Sequence, residues 1–183
     1  MLEGKQINLR VMERDDIEFA TECFNNLSFR GEYDLIGPQR SKTDRLRDFD
    51  TPCQVATLCQ RQRFIIEKKD GTKIGFITHY VIQPTGFTEV GYEIVPSETG
   101  KGYGTEAVQL IVDYLFLSQN IQRIQAITDT RNKPSQRVLE KSGFQREGTI
   151  RNSGYVRGIL VKAYLYSIIR EEWKEPKILT KTS

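Results

Sequence analysis

The sequence is poor in the residues that build metal and redox sites, with one histidine and three cysteines among 183 residues. Cys23, Cys53 and Cys59 show no CxxC spacing, and His79 belongs to a different stretch of the chain. A metal site made of histidine and cysteine is therefore not expected, and an odd number of cysteines without ligand spacing favours reduced thiols.

Long apolar runs are also lacking. The N-terminal segment has no apolar core of the kind found in a signal peptide. The most apolar helical stretch, residues 110–117, is interrupted by Asp113 and is too short to span a bilayer. We therefore expect a cytoplasmic protein that does not bind a membrane.

No strong excess of one charge sign is present, because 27 basic and 24 acidic residues give a formal net charge of +3. The basic residues between positions 40 and 47 are interleaved with aspartates, as on a solvated helix face. Nucleic-acid-binding proteins usually carry a concentrated basic surface, so nucleic acid is not an expected partner. With 38% hydrophobic and 28% charged residues, the composition suits a single globular domain.

Hydrophobic periodicity predicts one domain of mixed helices and strands up to residue 173, followed by a polar tail at 174–183. Strands are predicted at 7–11, 64–66, 74–82, 88–95, 121–128, 144–150 and 160–169, and the glycine-containing segment 151–158 joins the last two as a loop or as a hairpin. Helices are predicted at 13–25, 43–49, 55–62, from Ala107 to Leu115, and from Pro134 to a cap at Gly143.

The most informative segment is the glycine-rich stretch between the strand at 88–95 and the next helix. Residues 100–105 read Gly-Lys-Gly-Tyr-Gly-Thr, directly before the helical pattern begins. A loop of this kind aims several backbone N–H groups and the positive end of a helix dipole at an anion, most often a phosphate. The sequence therefore predicts a binding site for a phosphorylated cofactor.

Three other kinds of segment can show a similar glycine pattern. A dinucleotide-binding turn has its first glycine at the end of the strand, whereas six residues separate Val95 from Gly102 here. A P-loop requires Ser or Thr after its lysine, but Lys101 is followed by glycine. A merely flexible connection remains an alternative, although three glycines in five residues before a helix favour an anion site.

Several ordered motifs carry a family resemblance. The loop fits the pattern Arg/Gln-x-x-Gly-x-Gly/Ala at both glycines, with Thr99 in place of Arg or Gln. On this loop and on segments 132–135, 138–144, 147–151 and 166–173, the chain resembles the GNAT acetyltransferase superfamily. Within it, the chain is most similar to the ribosomal-protein N-terminal acetyltransferases of the RimJ/RimL type. The resemblance extends from Ile7 to Trp173 and is weakest over 25–62.

The resemblance implies a single-domain α+β GNAT fold whose acetyltransferase domain spans residues 1–173. Its mixed, twisted sheet of six to seven strands would be flanked by helices and splayed at the centre, between two adjacent parallel strands. Acetyl-CoA would lie in the split as co-substrate, without a metal, with its pantetheine arm paired to the backbone of one strand and its pyrophosphate on the loop. The implied cofactor-binding residues are Ile94, Val95, Gly100, Lys101, Gly102, Tyr103, Gly104, Thr105 and Asn132.

Acetyl transfer to an amine requires a base, because an alkylammonium group is mostly protonated near neutral pH. A carboxylate acting directly or through water is the usual base. Glu89 and Glu93 are an even number of residues apart on one predicted strand and should face the same side. Glu89 matches the family position that often supplies the base, and Glu93 would lie nearer the thioester. Either carboxylate could instead be a surface partner of a lysine.

The leaving thiolate needs a proton, and the resemblance implies that Ser135 supplies it from a helix start. Ser135 and Asn132 could equally serve only to cap that helix, as residues of these types often do. Tyr164 and Tyr166 are reserve candidates for the acid. The backbone N–H of Val95, at the end of its strand, could polarise the thioester carbonyl.

Direct transfer is expected rather than an acyl-cysteine intermediate, since no motif links His79 to a cysteine. Lys162 stands where relatives of this type commonly have an acidic residue before the last strand, which affects the substrate contact rather than the cofactor site. We expect an acetyl-CoA-dependent N-acetyltransferase whose acceptor is a protein N-terminal α-amine or a small-molecule amine. A non-catalytic CoA-binding module is the alternative, and formation of a homodimer is left open.

Overall fold

The computed structural model describes residues 1–29, 31–33, 36–51, 61–82 and 84–179. Over these residues the chain forms eight strands and four helices. The strands are β1 (Leu2–Glu3), β2 (Ile7–Val11), β3 (Gln62–Lys68), β4 (Lys73–Ile82), β5 (Phe87–Ile94), β6 (Arg123–Asp129), β7 (Gln145–Val156) and β8 (Ile159–Ile169). The helices are α1 (Ile17–Asn25), α2 (Lys42–Asp50), α3 (Tyr103–Ser118) and α4 (Lys133–Lys141).

These strands form one sheet in the order β1-β2-β3-β4-β5-β6-β8-β7. Neighbouring strands are antiparallel except β5 and β6, which are parallel. Parallel neighbours need a crossover connection, and α3 supplies it between β5 and β6. The predicted α+β fold with a mixed sheet is therefore confirmed.

The sheet opens between β5 and β6. The two strands pair only at Thr88 with Ile124 and at Glu89 with Gln125. Beyond these two rungs, β5 runs on to Ile94 and β6 to Asp129 without further pairing to each other. The strands thus part toward their carboxyl ends, as the predicted split requires.

Helices cover both faces of the sheet. On one side, which we call the α3 face, α3 buries Leu110, Ile111 and Leu115 completely against the sheet. Each such side chain contributes about 1.5–3 kcal/mol relative to an exposed one. On the opposite side, the α1 face, the ring of Phe76 in β4 packs against Phe19 of α1 at a centroid distance of 5.1 Å. The sheet is therefore packed on both faces at β4, beside the split.

The observed elements differ from the predicted ones at three places. The additional strand β1 has only two residues, too few to show a periodicity. The segment 151–158, predicted as a loop or a hairpin, is mostly strand, because β7 and β8 are joined by a tight turn at Arg157 and Gly158, with φ values of 50° and 78°. The helix predicted at 55–62 falls mainly on residues 52–60, outside the described residues, as do Cys53 and Cys59.

The segment that follows β8 lies on α3 through one buried carboxylate. Asp113 accepts hydrogen bonds from the indole N–H of Trp173 at 3.0 Å and from the backbone N–H groups of Lys177, Ile178 and Leu179 at 2.8–3.1 Å. A carboxylate that accepts several hydrogen bonds can be buried without a cation beside it. Among the described residues, no helix combines the length and the apolar character needed to cross a bilayer.

Candidate active site

The glycine-rich loop after β5 presents a row of backbone donors. Gly100 and Gly102 have φ values of 78° and 93°, in the left-handed region that glycine adopts at low cost. Within the part of the chain that the structure describes, the N–H groups from Gly100 to Thr105 meet no acceptor, and that of Glu106 is the first to bond, at 3.1 Å from the Gly102 carbonyl. Unsatisfied donors at a helix start, aligned with the helix dipole, form an anion site. The geometry suits a pyrophosphate.

A buried carboxylate fixes the start of α3. Glu106 accepts the backbone N–H of Gln6 at 2.8 Å and that of Ile7 at 3.3 Å. The turn at Gly4 passes so closely that a Cβ there would lie 2.3 Å from the Glu106 carboxylate. Sequence reasoning did not find Glu106, because its partners lie about 100 residues away and no local pattern marks them.

The backbone of β5 offers only alternate residues to the split. The N–H of Val95 donates to the Ile74 carbonyl of the neighbouring chain segment at 2.8 Å, and its carbonyl accepts from Glu98 at 2.9 Å. The prediction that the Val95 N–H polarises the thioester carbonyl is therefore wrong. Since backbone groups alternate along a strand, those of Ile94 and Tyr92 point away from β4 and toward the split. Of the two residues predicted to pair with the pantetheine arm, Ile94 has its backbone groups on the split, whereas both backbone groups of Val95 are already bonded within the protein. The pantetheine contact at Ile94 stays a prediction.

Glu89 stands at the vertex of the split, on its last paired rung and on the α1 face. One carboxylate oxygen accepts the hydroxyl of Tyr80 in β4, and the other accepts the side-chain amide of Gln125 in β6 at 2.9 Å. Burial, together with the hydrogen bond to Glu89 and its charge, raises the pKa of Tyr80, so the phenol remains a donor near neutral pH. Two neutral donors therefore hold the predicted base in place.

Glu93 lies on the same face of β5 as Glu89, as the even spacing predicted, and its pair on β4 is Phe76. The charge of the Glu93 carboxylate also contributes to the pKa of Cys23, which is buried in α1. Burial first, and then the charges of Glu93 and Glu22, raise the pKa of the Cys23 thiol to about 12. A thiol that resists ionisation is a poor nucleophile, which argues against an acyl intermediate on Cys23.

The start of α4 separates the two roles considered for Asn132 and Ser135. The Asn132 side chain accepts the backbone N–H of Ser135 at 3.0 Å, so Asn132 caps the helix. The Ser135 hydroxyl instead lies 3.0 Å from the hydroxyl of Tyr92, which projects from β5. This contact bridges the split on the α3 face. The catalytic role of Ser135 stays a prediction, and Tyr92, Tyr80 and Gln125 are site residues that the sequence did not reveal.

The two reserve candidates for the acid, and the single histidine, have structural partners. Tyr166 is buried and donates to Glu140 at 3.0 Å, and burial together with this bond raises its pKa to about 12. Its neighbour Tyr164 makes an edge contact with that ring. Burial lowers the pKa of His79, whose ring lies 3.2 Å from the side-chain oxygen of Gln62. These contacts favour core roles over proton transfer.

A model of the acetyltransferase (GNAT) domain matches residues 6–145 of the chain. The chain belongs to the GNAT acetyltransferase family. The uncharacterised N-acetyltransferase YoaA of Bacillus subtilis is similar to this GNAT chain at 32% identity over 180 residues, which are 93% of this chain and 97% of that protein. The uncharacterised N-acetyltransferase p20 of Bacillus licheniformis is 37% identical over 62% of this chain and 65% of its own length. The predicted enzyme class, an N-acetyltransferase, is thereby confirmed.

Solved GNAT structures show the same fold. The spermidine N-acetyltransferase of Vibrio cholerae, in complex with CoA and spermine, superposes with a TM-score of 0.79 at 21% identity, covering 93% of this chain and 99% of that one. The ribosomal L7/L12 alpha-N-protein acetyltransferase RimL, in complex with coenzyme A, gives a TM-score of 0.78 at 16% identity, with coverages of 92% and 96%. At these identities the likeness establishes the fold of this GNAT chain.

Proposed function

We propose that residues 1–173 form a cytoplasmic N-acetyltransferase domain that moves the acetyl group of acetyl-CoA directly to a primary amine. The observation that carries the proposal is the split itself. It has the row of N–H donors from Gly100 to Thr105 at its mouth and the carboxylate of Glu89 at its vertex. A phosphate-binding end and a proton-accepting end on one cleft suit a cofactor whose thioester reaches the base.

The residues present suit this co-substrate. The loop donors match a pyrophosphate, and the edge of β5 at Ile94 can pair with an amide-bearing arm. The ammonium group of Lys101 lies 2.9 Å from Glu98, so the contact proposed for Lys101 is its backbone N–H. Acetyl-CoA supplies a thioester whose carbon–sulfur bond breaks as the new carbon–nitrogen bond to the amine forms.

The proton leaves the amine at Glu89 in this proposal. A carboxylate has about four lone-pair sites, and the hydrogen bonds from Tyr80 and Gln125 use only two of them. Glu89 forms no ion pair with any described residue, so its charge can attract an ammonium group. Ser135 donates its hydroxyl proton to the departing thiolate and regains one from solvent. Tyr92 holds that hydroxyl in position at 3.0 Å.

Either of two acceptor classes suits this chemistry. The neighbours in structure include one protein crystallised with spermine and another that acts on a ribosomal protein α-amine. For this chain we propose a primary amine of one of these kinds, a small-molecule amine or a protein N-terminus. A panel of small-molecule amines and peptide N-termini, each assayed with acetyl-CoA for the release of free thiol, distinguishes the two acceptor classes.

The base assignment is tested with Glu89→Gln, Glu93→Gln and the double variant. Loss of a general base lowers turnover by about 10²–10⁴-fold. We expect this loss for Glu89→Gln at unchanged acetyl-CoA affinity, and a much smaller effect for Glu93→Gln. Full turnover in the double variant would remove both carboxylates from the reaction. If the wild-type protein binds acetyl-CoA but no amine releases thiol, the non-catalytic binding module replaces the enzyme.

A further inference from the structure

A glycine in the middle of β5 has no structural reason to be a glycine. Gly91 is exposed, its φ is not in the left-handed region, and a Cβ built on it meets no atom of the described residues within 4 Å. Gly75 in the neighbouring strand is different, since a Cβ there would lie 2.1 Å from the Glu93 carbonyl oxygen. Glycine weakens a strand interior and often marks a place where a ligand approaches the backbone.

The position of Gly91 relates it to the site. It lies midway between Glu89 and Glu93 and therefore faces the same side, the α1 face. Glu89 is paired with Gln125, so two residues farther along the opposite strand Ile127 faces Gly91 across the opening. Ile127 is an apolar side chain with 42% of its surface exposed. The space above Gly91 is thus bounded by a glutamate at each end, Glu89 and Glu93, and by an apolar wall on one side.

We propose that Gly91 is a specificity-determining residue that forms the floor of the acceptor channel. The amine of the acceptor meets Glu89, and the alkyl stem that carries it lies across Gly91 and against Ile127. This inference deepens the proposed function and rests on it. The acceptor class it names is a primary alkylammonium with an apolar stem next to the nitrogen. A side chain at position 91 fills the space that the stem needs without touching the loop that holds the cofactor.

The test measures binding rather than turnover. The probes are CoA and a CoA conjugate in which a –CH₂CO– bridge on sulfur forms an amide with n-butylamine, both titrated by calorimetry. Burying about two methylene groups corresponds to about tenfold in affinity, so the wild-type protein should bind the conjugate about tenfold more tightly than CoA. Gly91→Val should bind CoA within twofold of wild type but lose this tenfold gain, and Gly91→Ala should lose part of it.

Gly148→Val is the matched control. Gly148 is also an exposed strand glycine without a left-handed φ, and a Cβ there meets no atom within 4 Å. It should keep both affinities, and all three variants should unfold within a few degrees of wild type. An undiminished gain in Gly91→Val, or no gain in the wild-type protein, overturns the floor assignment. An equal loss for CoA and conjugate also overturns it, because Gly91 would then belong to the cofactor site. A wild-type protein that does not bind CoA at all overturns the proposed function itself.

Discussion

Replacement of Ser135 by alanine separates a catalytic hydroxyl from a helix cap. In this structure the cap is made by the Asn132 side chain and the backbone N–H of Ser135, at 3.0 Å. Ser135→Ala keeps that N–H and therefore keeps the cap. It removes the hydroxyl that lies 3.0 Å from the hydroxyl of Tyr92. Asn132→Ala removes the cap and keeps the Ser135 hydroxyl.

The two variants should have similar stabilities and very different activities. Loss of the cap costs about 1 kcal/mol, and loss of a neutral hydrogen bond costs about 0.5–1.5 kcal/mol. Loss of a general acid lowers the rate about 10²–10⁴-fold, which is about 3–5 kcal/mol of transition-state stabilisation. We therefore expect Ser135→Ala to lose at least a hundredfold in kcat, and Asn132→Ala to stay within about threefold of wild type.

The assay is thiol release at saturating acetyl-CoA and amine, with urea unfolding of each variant alongside. Ser118→Ala is the control, since its exposed hydroxyl donates to the Tyr114 carbonyl at 2.6 Å at the far end of α3. It should change neither kcat nor affinity for CoA. A Ser135→Ala variant that retains kcat within threefold of wild type contradicts the general-acid role of Ser135, as does an Asn132→Ala variant that loses as much activity as Ser135→Ala.

Three further outcomes follow from the structure. Gly102→Ala should weaken CoA binding about five- to tenfold in calorimetry, because alanine at a φ of 93° is strained by about 1 kcal/mol or more and the free loop relieves that strain only by leaving the conformation that binds the pyrophosphate. An unchanged Kd contradicts the loop assignment. Although burial opposes ionisation, hydrogen bonds from Arg10 and Lys73 lower the pKa of Asp16 to about 2. Its folded-state pKa lies below the usual 3.8, so about 2 kcal/mol of stability is present above pH 4 and is lost as the pH falls toward 2. In urea titrations at pH 7, Asp16→Asn should be less stable than wild type by about 2 kcal/mol, and this difference in stability should shrink below pH 4. A difference that stays constant with pH would show that the charge of Asp16 does not stabilise the fold. Asp113→Asn leaves two of the four converging N–H donors without an acceptor, which should cost about 3 kcal/mol or more of folding stability. We expect Tm to fall by about 6–12 °C in a circular-dichroism melt, and a fall of less than 2 °C contradicts this role of Asp113.

Local patterns predicted several strands of the sheet. The alternation of Ile7, Leu9 and Val11 marked β2, and the Asp-Gly turn marked the hairpin of β3 and β4. Both signals depend only on neighbours in sequence, so they survive folding unchanged. The even spacing of Glu89 and Glu93 placed them on one face for the same reason.

Contacts between distant segments could not be predicted in this way. The partners of Glu89, which are Tyr80 and Gln125, depend on the register of two different strand pairs, one antiparallel and one parallel. The direction of the Val95 N–H also depends on register, since a shift of one residue would turn it from β4 toward the split. For this reason the predicted oxyanion donor was wrong although the strand that contains it was right.

The sequence alone determined the family, the glycine-rich loop and the carboxylates on β5, because each is written in consecutive residues or in a short fixed spacing. Only the tertiary structure decided which donors hold Glu89, which backbone groups face the split, and that Asn132 rather than the Ser135 hydroxyl caps α4. These contacts join strands and helices that are far apart in the chain. They stabilise the protein only after the folding of the core has brought those segments together.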